Sequence, residues 1–140
     1  MSKVISCEHK IQYYETDQMK VTHHSNYIRW FEEARVIFME SFGLGYDKME
    51  SMGIISPVLE ASAKYRKSTH FGEMVRVDAF IKEYNGVRLV VGYKVYETKE
   101  NTLCCEGETK HCFIGEDGKI VRLAKALPAY DKMFISALNE

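Results

Sequence analysis

Residues Tyr13-Tyr14-Glu15-Thr16-Asp17-Gln18-Met19-Lys20-Val21-Thr22-His23-His24-Ser25-Asn26-Tyr27 hold the chemistry that is easiest to read in this chain. The isolated carboxylate Asp17 and the histidines His23 and His24 precede Ser25-Asn26, a pair suited to capping the start of a helix. A carboxylate can attack a carbonyl or activate water, and the positive end of a helix dipole stabilises a developing oxyanion. The layout therefore points to acyl chemistry. Adjacent histidines in a loop lack the shared-face spacing of zinc motifs, so no metal is expected at His23, His24 and Asp17.

Two kinds of element must hold this segment. Residues 3–14 read as a first strand, with Val4, Ile5, Ile11 and Tyr13 as its apolar members. From Ser25 to about Phe42 the period is helical, with Tyr27, Phe31, Ala34, Phe38 and Phe42 spaced by three or four residues. Ile28, Trp30 and Ile37 widen that stripe until it fits a helix nearly enclosed by a curved sheet. A short helical turn is expected at 46–52, and the chain beyond Ile54 is strand-like. Strands are expected at 58–66, around Val75–Lys82 and from Val87 to Val95, with Asn85-Gly86 as a hairpin turn. Another runs from Leu103 to Phe113 after a turn at Glu100-Asn101. Asp117-Gly118 marks a third turn, residues 120–123 are expected to extend the sheet, and Tyr130 to Leu138 close as a helix. The fold class is α+β, an antiparallel sheet with one long helix packed on it, in a single domain over residues 1–140.

Composition limits the alternatives. An apolar fraction of 46% over 140 residues supports one substantial core. A formal charge of −1 gives no reason to expect nucleic acid, although Lys64-Tyr65-Arg66-Lys67 is a local basic run. No signal-peptide core or membrane-length apolar run is present, and a cytoplasmic protein with no membrane partner is expected. Cys7, Cys104, Cys105 and Cys112 show no paired C-x-x-C spacing and are expected as reduced, mostly buried thiols. His9, His70 and His111 show no evident carboxylate partner.

Around Asp17 the chain resembles the 4-hydroxybenzoyl-CoA thioesterase family of hotdog-fold proteins. Tyr13-Tyr14, Asp17, Val21, His24, Asn26-Tyr27 and Phe31-Glu32-Glu33-Ala34-Arg35 carry the likeness, whose specific motifs lie within residues 12–35. The resemblance implies a hotdog fold, its sheet wrapped around the central helix, and hydrolysis of an acyl-CoA thioester. Asp17 then matches the catalytic nucleophile or general base. His24 matches the loop-to-helix join, where a backbone N–H polarises the thioester carbonyl. Glu33 is a secondary catalytic candidate, because some hotdog thioesterases use a helical glutamate. Met19, Tyr27 and Phe31 would line the acyl pocket. Arg66, Lys67, His70 and Arg88 would contact coenzyme A, which enters as part of the substrate with no separate cofactor.

The resemblance also implies a homodimer or homotetramer whose sites form at a subunit interface, with an acyl-carrier protein as a second conceivable donor. Many relatives carry glycines where this chain has Gln18-Met19-Lys20, and many have a proline near Lys67-Ser68-Thr69. Those departures leave open a non-catalytic acyl-CoA or acyl-carrier-protein binding module on the same fold. A hotdog dehydratase is a third reading, but its histidine motif is not evident.

Overall fold

The computed structural model describes residues 2–140. Five strands, β1 (Val4–Lys10), β2 (Val58–Tyr65), β3 (Met74–Tyr84), β4 (Leu89–Glu97) and β5 (Thr102–His111), form one antiparallel sheet in the order β1-β3-β4-β5-β2. The long helix α1 (Ser25–Ser41) packs against the sheet, chiefly on β1 and β3, and α2 (Tyr46–Ser51) follows it. Two C-terminal helices, α3 (Leu123–Ala126) and α4 (Pro128–Asn139), complete the chain. This is the hotdog arrangement expected from the sequence.

Alternation decides which face of each strand is inside. On β3, Val75, Val77, Ala79 and Ile81 are buried while the residues between them are partly exposed. Opposite them, α1 buries Tyr27, Trp30, Phe31, Ala34, Phe38 and Met39, the wide stripe that its periodicity demanded. Gly107 on β5 makes room for this helix. A Cβ there would lie 2.2 Å from the Ser62 carbonyl and 2.7 Å from the Phe31 ring. With no side chain in the way, Phe31 stacks on Tyr93 at 4.4 Å between ring centres.

The expected hairpin forms between β3 and β4. Gly86 takes a φ of 92°, and the Asn85 carboxamide accepts the N–H groups of Val87 and Arg88. Two expectations need correction. The first strand stops at Lys10, and Tyr13–Glu15 form a 3-10 turn instead, because the Glu15 carboxylate accepts the Gln12 N–H and folds the chain back. Residues 120–123 do not extend the sheet. Ile120 makes a single bridge with Ile114, and Leu123 opens α3 with its N–H bonded to the Gly86 carbonyl.

All four cysteines are free, three of them buried. Among the described residues no helix is long and apolar enough to cross a membrane.

Candidate active site

Asp17 sits in a tight loop that it builds for itself. Its Oδ1 accepts the Met19 N–H at 2.8 Å and lies 3.4 Å from the Val21 nitrogen, while its own N–H donates to the Val21 carbonyl. Closing this turn puts Lys20 at a φ of 68°, the left-handed region that glycine occupies freely. Lys20 holds this turn at some conformational cost.

Glu15, two residues earlier, anchors the loop to three elements. Its side chain is 5% exposed and fully engaged. Oε1 pairs with His9 Nε2 of β1 at 2.7 Å and accepts the Gln12 N–H, while Oε2 accepts the Trp30 indole N–H of α1 at 2.9 Å. Its carbonyl accepts the His23 N–H and the Asn26 side-chain amide. Burial raises the carboxyl pKa, but the bonds from Gln12, His9 and Trp30 outweigh it and hold the group below the usual glutamate range. Sequence reasoning missed this residue. Its signal was present: Glu15 follows Gln12 by three positions, the capping-box spacing.

The helix start differs from the expected cap. His24 occupies the N-cap position in αR geometry with no side-chain cap bond, and the Asn26 amide is spent on the Glu15 and His23 carbonyls. His23 does the capping instead, its Nδ1 accepting the Ser25 N–H at 3.2 Å. The rings of His23 and His24 stack at 4.2 Å. Among the described residues, no acceptor takes the N–H of His24.

A cavity of about 280 Å³ opens beside Asp17 and His24. Met19, Tyr27, Tyr65, Arg66 and Lys67 also line it. Tyr65, on the edge strand β2, sets its ring 5.3 Å from that of Tyr27 and donates its hydroxyl to the His24 carbonyl at 3.3 Å. The Tyr27 hydroxyl is 2.8 Å from Thr69 Oγ1, which lies 2.7 Å from Thr22 Oγ1 in a buried chain of hydroxyls. Burial pushes the Tyr27 phenol up to about 12, so it stays protonated. Lys67 forms no ion pair among the described residues, whereas Arg66 is held by Glu106 at 3.2 Å.

The remaining candidates lie elsewhere. Phe31 is fully buried against Tyr93 and does not reach this cavity, because the gap at Gly107 draws its ring into the core. Glu33 is exposed on α1, its carboxylate 3.9 Å from His9 Nδ1 and outside the Asp17 cavity. His70 is exposed and paired with Glu73 at 3.1 Å. Arg88 lines a different hollow, with Glu83, Asn85 and Lys110. His9 and His70 thus do have carboxylate partners, which the sequence did not reveal. Those partners are six and three residues away and meet only where the chain turns back.

Comparison with known proteins identifies the family. Residues 11–133 match the family described as the thioesterase-like superfamily. The Bacillus subtilis protein named "Putative acyl-CoA thioesterase YneP" is 35% identical over 130 residues, covering 89% of this chain and 94% of that protein. The DHNA-CoA thioesterase from Staphylococcus aureus superposes with a TM-score of 0.91 at 34% identity, covering 97% of this chain and 93% of that one. Slr0204, a 1,4-dihydroxy-2-naphthoyl-CoA thioesterase from Synechocystis, shares the fold with a TM-score of 0.86 at 19% identity, covering 98% of each chain. The chain belongs to the thioesterase-like superfamily, and it is a thioester hydrolase built on the hotdog fold.

Proposed function

We propose that the protein hydrolyses an aromatic acyl-CoA thioester to the free acid and coenzyme A, with Asp17 at the centre of the reaction. The observation that carries this reading is the cavity in which Asp17, the start of α1 at His24, two tyrosines and the Arg66-Lys67 pair converge. Within the superfamily we assign the chain to the 4-hydroxybenzoyl-CoA thioesterase branch, a reading supported by the resemblance carried by Asp17 and Asn26-Tyr27. The acyl group lies against Met19, Tyr27 and Tyr65, and the unpaired His24 N–H faces the carbonyl oxygen as charge develops on it. Asp17 attacks the carbonyl carbon or takes a proton from the attacking water. The C–S bond breaks and the coenzyme A thiolate takes up a proton; in the first route water then hydrolyses the acyl–Asp17 anhydride, and in both the carboxylic acid departs. The flat rings at the cavity and the DHNA-CoA thioesterase among the relatives at 34% identity favour an aryl over a straight-chain acyl group.

The 140 residues act as one cytoplasmic domain. The active unit is a homodimer or homotetramer. Supporting this, β2 is an edge strand exposed along nearly its whole length, with Val58, Leu59 and Tyr65 open to solvent. Pairing two such edges would carry the sheet from one subunit into the next and set a second chain beside Tyr65. Coenzyme A is the preferred donor, with an acyl-carrier protein as the alternative.

Thiol release from a panel of aryl, short-chain and long-chain acyl-CoAs tests the activity. Hydrolysis is expected, fastest with aryl donors. Lys67→Glu is expected to raise KM for acyl-CoA about tenfold with little change in kcat, because Lys67 contributes to phosphate binding and not to the reacting bond. An unchanged KM would remove Lys67 from the coenzyme A site. The second reading is a binding module without turnover, favoured by the bulk of Met19 and Lys20 in the loop. Saturable acyl-CoA binding with no thiol release from any donor would establish it.

A further inference from the structure

The cavity beside Asp17 has two walls that share little structure. One is the loop over residues 17–22, and the other is Arg66-Lys67-Ser68, in the connection between β2 and β3. Both stretches are open to solvent along most of their length. Within residues 66–73 the one buried residue is Thr69, at 0% exposure, and within residues 16–25 it is Thr22, at 6%. Burying a hydroxyl is tolerated only when its hydrogen bonds are met, so a threonine as the inner anchor of each loop calls for an explanation.

The two threonines meet. Thr22 donates its backbone N–H at 2.8 Å and its hydroxyl at 3.2 Å to the Thr69 carbonyl. The Thr69 hydroxyl donates back to Thr22 Oγ1 at 2.7 Å and, with its own proton committed, accepts the Tyr27 phenol at 2.8 Å. Among the described residues, every hydrogen bond between residues 16–23 and residues 66–73 runs between Thr22 and Thr69. Thr22 also bridges back to Thr16, so the turn that presents Asp17 is enclosed between those two residues. Asp17 and Tyr27 both line the cavity, whereas Thr69 stands behind them and does not.

Resting on the reading of Asp17 as the reacting carboxylate, we propose that Thr69 is a positioning residue for thioester hydrolysis. Its hydroxyl sets the Asp17 loop through Thr22 and the Tyr27 ring directly, and so fixes both against the bound acyl group. A carboxylate displaced by about 1 Å from its line of attack can lose about 10² in rate. The carbonyl of residue 69 still ties the two loops together in any side-chain variant, which leaves the hydroxyl as the part that aligns them.

Thiol-release kinetics test this, run below each unfolding midpoint with the acyl-CoA of the panel that wild type hydrolyses fastest. Thr69→Val keeps the side-chain shape and removes only the hydroxyl. Its kcat is expected to fall about 10- to 100-fold while KM stays within about twofold. Thr69→Ser restores the hydroxyl and is expected to bring kcat back to within about threefold of wild type. Thr22→Val breaks the same pair of hydroxyls, so adding it to Thr69→Val is expected to lower kcat by less than about twofold more. Val77→Ala, a core truncation on β3 outside the cavity, is expected to lose stability and keep kcat. Wild-type kcat in Thr69→Val, a change in KM alone, no rescue by serine, multiplicative losses in the double variant, or an equal loss in Val77→Ala would each overturn the proposal. Full turnover in Asp17→Asn would sink the underlying reading and this proposal with it. A disabled Asp17→Asn beside a fully active Thr69→Val would leave that reading standing and remove Thr69 alone.

Discussion

Asp17→Asn is expected to lower kcat for acyl-CoA hydrolysis by about 10²–10⁴-fold while the protein stays folded. The choice of asparagine follows from the loop. Asp17 Oδ1 closes the turn by accepting from Met19 and Val21, and an asparagine oxygen can accept the same bonds. Only the negative charge is lost, and with it the capacity to attack the thioester or take a proton from water. The unfolding midpoint should move by less than about 2 °C, because Asp17 is partly exposed and its turn survives. Thiol-release kinetics and a thermal melt on the same preparation check both parts. Full turnover in the variant would defeat the assignment and turn attention to Glu33, the other carboxylate that the family resemblance offers.

Glu15→Ala should produce the largest loss of stability, about 3 kcal/mol, or about 10 °C in the unfolding midpoint. The truncation leaves the Gln12 N–H and the buried Trp30 indole N–H without acceptors, and it unpairs His9. It also frees the 3-10 turn that precedes Asp17, so kcat should fall along with stability. The charge itself leaves a pH signature. The carboxyl is held below its ordinary value in the fold, so its contribution is fully present above the ordinary glutamate range. That contribution disappears as pH falls through the lowered folded value. Melts of wild type and Glu15→Gln between about pH 6 and about pH 3 should therefore converge at the acid end. A stability gap that stays constant over that range would mean that the Glu15 charge contributes nothing.

These two carboxylates, two positions apart, mark what the chain displays locally and what it conceals. The turn at Asp17 and the place where α1 begins were legible because they depend on short-range rules, although His23 and not Ser25 or Asn26 does the capping. A turn-forming aspartate precedes a helix whose apolar spacing is read directly from Tyr27 to Phe42. The hairpin at Asn85-Gly86 was legible for the same reason, since the turn needs a residue that tolerates positive φ. Where local rules competed, the reading slipped. Tyr13 and Tyr14 have strong strand propensity, yet the Glu15 side chain bends the backbone there and leaves both rings in solvent.

The amino-acid sequence by itself determined the long helix, the alternating strands and the loop that carries Asp17, because periodicity and turn chemistry are local. Tertiary structure alone decided that Glu15 is buried between β1 and α1 and that Tyr65 faces Tyr27 across 5.3 Å. It also kept Phe31 out of the Asp17 cavity, in the space left by Gly107, and put Arg88 in a separate hollow. Burial and cross-strand proximity depend on the order β1-β3-β4-β5-β2, which brings together residues far apart along the chain. Arg35 shows this most plainly. In sequence it is one more charge on a helix, and only the sheet closing over α1 turns it into a buried cation beside a cavity.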